Sequence, residues 1–383
     1  MVNVITDTAT LQAFCDSLKN ERFITVDTEF MREKTFYPEL CLVQVAGETN
    51  AAAIDPLAPG IDLSPLYKLL ADLNILKVFH ACRQDVEIFY HAMKSIPAPL
   101  FDTQVAAMVC GYGESVSYES LVSKILGKPV DKSSRFTDWA KRPLSEKQLQ
   151  YALDDVLHLR GIYLALEEQL KKSGRISWIL EEMEPVLDPE TYDTNPNDAW
   201  RKLRLRNPSP RYMAVLQAIA AWREITARTK NVPRGRIMKD ETLTEVAQSK
   251  PDNFTALQAI RGFYPTMPAS QYEPLFAILK GVEEMPASTY PQLPAKPQIS
   301  NLGESLVDLL RLLLKACAAQ NQVVPRLIAD KDELELLALG KRDGLHVLHG
   351  WRYEIFGKEA LRLLDGKIAL KADGKNGLAF IEI

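Results

Sequence analysis

Two acidic residues, Asp27 and Glu29, stand two positions apart at the end of the apolar segment 23–26. A short apolar run of this kind is typical of a buried β-strand, and alternate residues of a strand point to one face of the sheet. Two carboxylates on one face repel each other, which favours a cation between them, and divalent metal ions prefer such oxygen ligands. The spacing therefore predicts a metal site that includes Asp27 and Glu29.

Three residues further along the chain are candidates for the same site. Asp85 follows a strand that ends at His80 and lies in the first turn of a helix that begins near Arg83, where the helix dipole favours an acid in any case. Tyr151 and Asp155 are four residues apart and therefore share one face of a helix. Each pattern taken singly is more often structural than functional, and we interpret His80 as a structural histidine at the edge of the site.

The first part of the chain alternates strand-like and helix-like segments, which predicts an α/β domain with helices on a central sheet. Short polar connections between the first three strands favour antiparallel neighbours. Ser145 and Gln148 form a start signal for the long helix that carries Tyr151 and Asp155. Strands are predicted at 22–30, 40–46, 51–54 and 76–80, and helices at 63–72, 83–92, 103–110, 118–126 and 146–171.

The rest of the chain is predicted to be helical, with a weak internal repeat of about 90 residues. Each copy has an amphipathic helix (216–229 or 306–319), then a Val-Pro-Arg segment, an acidic turn and a second helix. Stretches rich in Pro, Asp and Asn are typical of linkers. We therefore predict an α/β domain over residues 1–175, a linker over 176–207, a small helical domain over 208–285, a second linker over 286–300 and a second small helical domain over 301–383.

Taken together, these residues resemble a known family. The order Asp-x-Glu on the first strand, Asp after a later strand and Tyr-x-x-x-Asp on a long helix is similar to the DEDDy pattern of 3'-5' exonucleases in the ribonuclease H-like (DnaQ-like) superfamily. The segments FITVDTEFMRE, YPELCLVQV, FDTQ and DWAKRPL resemble blocks of the ribonuclease D family. The helical repeat resembles the HRDC domains that follow its nuclease domain. The resemblance implies an α/β ribonuclease H-like exonuclease domain with a mixed sheet, followed by two small all-α HRDC-like domains.

The resemblance also implies a mechanism, in which two divalent ions, Mg²⁺ or Mn²⁺, promote phosphodiester hydrolysis. Asp27 would bridge both ions, Glu29 and Asp155 would bind the ion that generates hydroxide, and Asp85 would hold the second ion at the leaving-group side. Tyr151 would orient the attacking water. An unperturbed tyrosine has a pKa of about 10, which makes the phenol a better positioner than a base at neutral pH.

Four further residues are expected to contact the substrate because of their position in the family-like segments. Phe30 and Met31 are expected to stack on or wedge against the terminal bases of a frayed 3' end, although two apolar residues at a strand end are more often core. Gln44 is expected to reach the ribose, and Arg142 is expected to contact a phosphate.

The net charge of −4 conceals two blocks of opposite charge. Residues 181–198 contain seven acids and no Lys or Arg, whereas residues 201–236 contain ten bases and one acid, Glu224. The basic block fits a nucleic-acid-binding surface that grips phosphates without reading sequence. It fits a solvated helical face equally well, and the sequence does not decide between the two.

The resemblance implies a metal-dependent 3'-5' exoribonuclease that acts on RNA with an accessible 3' end, with tRNA precursors as the implied substrate. A DNA 3'-5' exonuclease remains open, because the same metal chemistry serves either sugar. A non-catalytic nucleic-acid-binding protein on a nuclease scaffold is disfavoured because all five motif residues are present. A glycoside hydrolase is disfavoured because four clustered acids exceed its need for two carboxylates.

Composition narrows the class of protein and its location. The chain is 46% hydrophobic and 25% charged, which excludes a fully disordered protein. No apolar run is long enough to span a bilayer, and no signal peptide is visible. The five cysteines are scattered and form no CxxC pair, which argues against a zinc site or a disulfide framework. We expect a cytoplasmic protein without membrane association and with no obligate protein partner evident.

Overall fold

The computed structural model of the protein describes residues 4–131, 134, 137–203, 208–291, 301–374 and 377–383. Three bodies are recognised by their separate apolar cores. They are an α/β domain (residues 4–192), a first helical domain (195–290) and a second helical domain (301–383).

A mixed sheet of six strands forms the centre of the α/β domain. Its strands are β1 (Val4–Ile5), β2 (Phe23–Met31), β3 (Glu39–Ala46), β4 (Ala51–Ile54), β5 (Leu76–Phe79) and β6 (Leu100–Asp102). They lie side by side in the order β1-β4-β3-β2-β5-β6. β3 is antiparallel to both β2 and β4, whereas the pairs β1–β4, β2–β5 and β5–β6 are parallel. The antiparallel pairing that the short connections predict is therefore confirmed.

Seven α-helices surround this sheet in the described part of the domain. They are α1 (Thr8–Ser17), α2 (Ser64–Ala71), α3 (Arg83–Met93), α4 (Thr103–Val109), α5 (Tyr118–Leu121), α6 (Glu146–Ser173) and α7 (Ile176–Leu187). α5 continues into a π-helical segment, Val122–Leu126. The sequence predicts none of β1, α1, β6 and α7, and α7 lies in the stretch that is predicted to be a linker. β1 and β6 have only two and three residues, too few for a hydrophobic period to be read.

The long helix α6 crosses one face of the sheet and begins at the predicted signal. Ser145 Oγ accepts a hydrogen bond from Gln148 N (3.2 Å), and Gln148 Oε1 accepts one from Ser145 N (3.0 Å), which completes a capping box. A buried apolar cluster fixes the helix on the sheet. Its members are Cys41, Leu42, Ala46, Ala53, Trp139, Ala152, Leu153 and Val156.

The stretch predicted as the first linker, 176–207, is packed wherever the structure describes it. Ile179 and Met183 of α7 belong to the core of the α/β domain, and Trp200 belongs to the core of the first helical domain. The Pro-rich composition reflects two short 3₁₀ turns, Pro189–Thr191 and Pro196–Lys202, rather than an unpacked chain.

The first helical domain is built around a long central helix. Its helices are α8 (Pro210–Lys230), α9 (Arg234–Ile237), α10 (Asp240–Ser249), α11 (Phe254–Gln258) and α12 (Glu273–Glu284). The second predicted linker, 286–300, begins with a 3₁₀ turn at Ala287–Thr289. The remainder of that linker, 292–300, lies outside the described residues.

The second helical domain repeats the opening of the first. Its helices are α13 (Asn301–Asn321), α14 (Pro325–Ile328), α15 (Lys331–Ala338), α16 (Gly350–Arg352) and α17 (Lys358–Leu364). The sequence predicts that this domain is all-α, and that prediction is wrong. The domain ends in an antiparallel hairpin of β7 (Ile368–Ala372) and β8 (Leu378–Glu382), where alternation over five residues is too brief to oppose the helical pattern before it.

Both helical domains pack against the α/β domain. Phe36, in the loop after β2, lies in the core of the first helical domain. The N–H groups of Phe36 and Tyr37 donate to Asn231 Oδ1 (3.1 and 3.0 Å). Trp178 of α7 stacks on Trp351 of α16, with ring centroids 4.5 Å apart. These contacts fix both helical domains relative to β2 and α7.

Among the described helices, none combines the length and the apolar character that crossing a membrane requires.

Candidate active site

β2 carries the first two acids of the site. Asp27 pairs with Gln44 and Glu29 with Leu42 on β3, so both acids face the side of the sheet that α6 covers. The register between β2 and β3 shifts directly after Glu29. A bulge of this kind interrupts the regular pairing, which resumes one residue out of step with Phe30 opposite Leu40 and Met31 opposite Glu39.

Asp85 enters from the first turn of α3, and a buried aspartate shapes the turn before it. The carboxylate of Asp102 accepts backbone hydrogen bonds from Ala81 N (2.9 Å), Cys82 N (2.8 Å) and Gln104 N (2.7 Å). Ala81 has a φ of +55°, an unusual conformation for a residue with a side chain, and Asp102 holds it there. The hydroxyl of Thr28 on β2 donates to Asp85. Asp85 is thereby tied to the strand that carries Asp27.

Tyr151 and Asp155 lie on the face of α6 that meets the sheet, as the spacing predicts. Two hydroxyls hold this part of the helix in place through its backbone. Thr25 Oγ1 of β2 donates to the carbonyl oxygen of Val156 (2.8 Å), and Tyr118 of α5 donates to the carbonyl oxygen of Asp155. Both bonds lie within one residue of the Asp155 side chain.

These elements enclose a cavity of about 400 Å³. Asp27, Tyr151 and Asp155 line this cavity together with Tyr118 and His80. Nδ1 of His80 is hydrogen-bonded to Thr103 Oγ1 (3.0 Å), which fits its interpretation as a structural residue at the edge of the site. Glu29 and Asp85 flank the cavity without lining it. The remaining lining residues are Ala81, Gln104, Ser115, Ser117, Glu119, Val130 and Leu159.

Burial raises the pKa of all four carboxyls, and the charges of neighbouring acids raise the pKa values of Glu29, Asp85 and Asp155 further. Burial is the largest cause in each case and raises the pKa of Asp27 to about 7 and, together with the charge of Asp27, that of Asp155 to about 8. Glu29 is also repelled by Asp27, Asp155 and Asp85, and its pKa rises to about 10. The pKa of Asp85 is raised well above its ordinary value by burial and by Asp27.

The charged neighbours that shift these four pKa values are all acids, and no Lys or Arg of the described residues is among them. A cluster of buried acids without a protein cation has the donor chemistry that hard divalent cations need. As the side chains stand, no three His, Cys, Asp or Glu residues in the described part of the chain form a ready coordination shell. Asp85 is turned toward Thr28, so closing a shell requires side-chain rotation.

The Tyr151 phenol remains protonated across the physiological range. Burial is the main cause, and the neighbouring carboxyl of Asp155 raises the pKa of Tyr151 further, far above its ordinary value. A protonated phenol donates and accepts hydrogen bonds but does not act as a base. This agrees with a role in orienting water.

Of the four predicted substrate contacts, Phe30 and Met31 lie at the end of β2 beyond the bulge. Both are partly buried. Met31 packs against the cluster under α6, as a core residue would. Phe30 belongs to none of the apolar clusters formed by the described residues. Phe30 is therefore the better placed of the two for contact with a base.

Gln44 and Arg142 have different surroundings from those that the sequence suggested. Gln44 is 0% exposed, so it does not reach a ribose in this conformation, and both polar atoms of its amide lack a hydrogen-bond partner. Arg142 uses all its N–H groups internally: it forms a bidentate pair with Asp55 (2.8 and 2.7 Å) and donates to carbonyl oxygens of Cys41, Trp139 and Lys141. It thus joins β3 and β4 to the segment before α6 and has no donor left for a phosphate.

The sequence analysis does not predict that Tyr118 holds α6 in place, or that Asp102 shapes the turn before α3. Tyr118 was noted only as the start of a helix, and Asp102 only as part of a family-like segment. Both act on backbone groups that are distant in sequence. Such contacts leave no spacing pattern in the chain.

The basic block of 201–236 is largely neutralised. Five of its ten cations are paired with acids, and these pairs are Arg201–Asp198, Arg211–Glu283, Arg223–Asp240, Arg228–Glu224 and Arg234–Glu224. Arg204 and Arg206 lie outside the described residues. Most of the described block therefore stabilises the first helical domain and its junction, and only part of it is available to an anionic partner.

Comparison with known proteins gives the same architecture. The family model described as 3'-5' exonuclease matches residues 2–171, and the HRDC domain model matches residues 213–278. Ribonuclease D of Granulibacter bethesdensis is 45% identical over 374 residues, which cover 97% of this chain and 95% of that protein. Ribonuclease D of Jannaschia sp. is 46% identical over 380 residues, 98% of either chain.

Solved structures agree in fold. The crystal structure of Escherichia coli RNase D, described as an exoribonuclease involved in structured RNA processing, superposes with a TM-score of 0.80 at 28% identity and covers 96% of this chain and 99% of that one. The catalytic core of RRP6 from Trypanosoma brucei has a TM-score of 0.54 at 22% identity, covers 74% of this chain and 80% of that one, and shares the fold.

Proposed function

Because the chain belongs to the ribonuclease D family of 3'-5' exoribonucleases, we propose that it trims the 3' ends of tRNA precursors with two divalent ions, Mg²⁺ or Mn²⁺, held by Asp27, Glu29, Asp85 and Asp155. It is a hydrolase of phosphodiester bonds, and its substrate is RNA. Exonuclease domains of this superfamily depend on a metal. The number of ions, the ligand set and the choice of RNA are the proposal.

One observation carries the assignment of the ligands. The charge of Asp27 acts on each of the other three carboxyls, since it raises the pKa of Glu29, Asp85 and Asp155. Glu29 likewise interacts with all three other acids, so this closeness supports the four acids as one ligand set, and the bridging role of Asp27 rests on the resemblance to the DEDDy pattern. Glu29 and Asp155 would hold one ion and Asp85 the other, and the Asp85 carboxyl would have to turn away from Thr28 to do so.

Each protein group has a defined task in the proposed reaction. Bound divalent ions supply an activated water and neutralise the leaving oxygen. Tyr151, as a protonated phenol beside Asp155, donates to or accepts from that water and fixes its direction of attack. Thr25 and Tyr118 hold the backbone of α6, which keeps Asp155 over Asp27. Phe30 is available to pack against a terminal base.

The wider context supports RNA processing. The HRDC match lies in the first helical domain, which is joined to the metal-binding strand through Phe36. We propose that the second helical domain is also HRDC-like, because α13, α14 and α15 repeat the order of α8, α9 and α10. A cytoplasmic location is part of the proposal, since all five cysteines are free and buried, as expected in a reducing compartment.

The test is a panel of substrates incubated with the purified full chain. A 3'-extended tRNA, an unstructured RNA and a single-stranded DNA of the same sequence would each be treated with Mg²⁺, Mn²⁺ or EDTA, and product sizes would be read over time. We expect mononucleotides from both RNAs with either metal, faster trimming of the tRNA extension than of the tRNA body, and no products in EDTA. Preferential degradation of DNA would overturn the substrate assignment, and activity in EDTA would overturn the metal assignment.

A further inference from the structure

A second cavity lies where the first helical domain meets the loop that follows β2. Its volume is about 430 Å³, within the range of small-ligand sites. α9, the start of α10 and the turn at residues 262–266 form most of its wall, and Glu33 contributes from the α/β domain. Glu33 stands two residues beyond Met31, the last residue of the strand that carries Asp27 and Glu29. The cavity is therefore attached to the metal-binding strand.

The cavity presents an exposed aromatic ring. Tyr264 is 75% exposed, so its ring contributes little to the core of the first helical domain. Phe263 beside it is buried in that core, which anchors the turn that presents Tyr264. A rigidly mounted, exposed ring is the group on which nucleic-acid-binding proteins stack a base.

Two cations stand in the same wall. Arg236 and Lys239 are exposed, and no acid of the described residues forms an ion pair with either, whereas Arg223 and Arg234 of the same domain are paired. Glu33 is the single acid among the lining residues, so the lining carries a net positive charge. Free Lys and Arg side chains next to an aromatic ring suit a phosphate and its base.

The stability of the helical fold does not explain these cations. Lys239 occupies the N-cap of α10, makes no capping bond and places a positive charge at the positive end of the helix dipole. At the equivalent N-cap of α15 in the second helical domain, Asp330 forms a capping box with Glu333. The sequences of the two domains can be aligned at Ile237 and Ile328, the last residues of α9 and α14. In this alignment Arg236 corresponds to Leu327, and Lys239 corresponds to Asp330.

The two residues of the second helical domain that correspond to Arg236 and Lys239 have structural roles. Leu327 packs against the cores of the α/β domain and the second helical domain, so its site holds an apolar residue in one copy and a free cation in the other. Asp330 gives its helix a cap that α10 lacks. The first helical domain thus carries two cations that its own folding does not require.

A third cavity, of about 400 Å³, adjoins both this region and the end of the strand that carries Asp27 and Glu29. It begins at Met31 and shares Glu33 with the second cavity. Glu33 is six positions after Asp27 in the chain, which limits the distance between their Cα atoms to about 22 Å. An RNA strand whose 3' end lies at Asp27 reaches the second cavity within a few nucleotides.

We propose that the cavity around Tyr264, Arg236 and Lys239 binds a nucleotide of the RNA strand upstream of its 3' end. The base stacks on Tyr264, and the adjoining phosphates contact Arg236 and Lys239. The inference rests on the exoribonuclease function proposed above and adds to it a second point of attachment, which long substrates use and short ones do not reach.

The experiment measures RNA affinity of the full chain by fluorescence anisotropy in EDTA, which prevents cleavage. The probes are a 5'-labelled dinucleotide and a 5'-labelled oligoadenylate of about 12 nucleotides, a length within the usual range of single-strand sites. We expect Tyr264→Ala to weaken binding of the longer probe about 5- to 100-fold, the range for loss of one stacked base. Binding of the dinucleotide should be unchanged. Tyr264→Phe, which keeps the ring, is the matched control and should bind both probes like the unaltered protein.

The cations are tested through their salt dependence and through stability. The double variant Arg236→Ala, Lys239→Ala should lower the slope of log affinity against log salt by about 1.4, because each phosphate contact to a single strand contributes about 0.7. Lys280→Ala, an exposed cation of α12, should leave the slope unchanged. Lys239→Asp should raise the melting temperature by restoring an N-cap acid and yet weaken binding of the longer probe, which separates binding from folding.

Unchanged affinity and salt slope in Tyr264→Ala and in the double variant would overturn the inference. If the unaltered protein still releases nucleotides from RNA in the presence of Mg²⁺, only the upstream site is then lost and the proposed function stands. If the unaltered protein releases none, the proposed function fails first, and the upstream site fails with it.

Discussion

The close packing of four acids lowers the stability of the metal-free protein. These acids are Asp27, Glu29, Asp85 and Asp155. Burial raises the pKa of Asp27 to about 7, and burial together with the charge of Asp27 and other acids raises the pKa of Asp155 to about 8 and that of Glu29 to about 10. In the unfolded chain the same groups ionise near about 4. Between these limits the folded protein keeps protons that the unfolded chain has released, so the stability of the metal-free protein falls as pH rises.

Replacing Asp27 by Asn should therefore stabilise the metal-free protein. The amide carries no charge at any pH, which removes the burial cost of Asp27 and its repulsion of the other three acids. In EDTA, we expect Asp27→Asn to increase the free energy of unfolding by on the order of 1–3 kcal/mol at about pH 8, and by less than half as much at about pH 5. Urea unfolding of both proteins at the two pH values measures this difference. Equal stabilities at the higher pH would show that the ionised Asp27 carboxyl does not destabilise the folded protein.

At the scale of the element, the turn between β5 and α3 decides where Asp85 lies. Asp102 accepts three backbone hydrogen bonds across this turn and the start of α4, so it acts on the site by positioning rather than by contact with substrate. The elements themselves follow from the sequence: β2 from its apolar run, α6 from its capping box and period. The turn does not, because its geometry depends on a carboxylate that comes twenty residues later in the chain.

Asp102→Asn should loosen this turn while it keeps the size of the side chain. One carboxylate oxygen becomes an NH₂ group, which cannot accept a hydrogen bond, so either the bond from Cys82 N to Oδ2 or the bonds from Ala81 N and Gln104 N to Oδ1 are lost. We expect the Mg²⁺ concentration for half-maximal RNA cleavage to rise about 10- to 100-fold, the usual effect of removing a partner that orients a metal ligand. Asp62→Asn is the matched control, since Asp62 caps an exposed turn before α2. An identical Mg²⁺ dependence in the two variants would contradict the positioning role.

Arg142 and Gln44 show the same limit of sequence reasoning. Both residues lie within family-like segments, but their surroundings are set by residues from other elements. The partner of Arg142 is Asp55, 87 residues earlier in the chain, and Gln44 is covered by α6. A motif therefore identifies which residues matter more reliably than it identifies what each one touches.

At the scale of the whole molecule, the two helical domains are parts of the nuclease structure rather than attachments to it. The core of the first domain takes in Phe36 from the loop after β2, and Trp351 of the second stacks on Trp178 of α7. Removing residues 208–383 would expose the rings of Phe36 and Trp178, and it would also remove RNA-binding surface. Point substitutions such as those at Tyr264 therefore report on RNA binding more cleanly than truncation does.

The account depends most on the claim that Asp27, Glu29, Asp85 and Asp155, and not the acids adjacent to them in the chain, carry the reaction. Asp154 and Asp155 allow a direct comparison, since they are adjacent on α6 and only Asp155 lines the catalytic cavity. The measurement is the rate of mononucleotide release from a 5'-labelled RNA with Mg²⁺ for Asp155→Asn, Asp154→Asn and the unaltered protein. We predict at least a 10³-fold loss of rate, roughly 4 kcal/mol, for Asp155→Asn and less than about a 3-fold change for Asp154→Asn. Retained activity in Asp155→Asn, or equal losses in both variants, would contradict the assignment of the site.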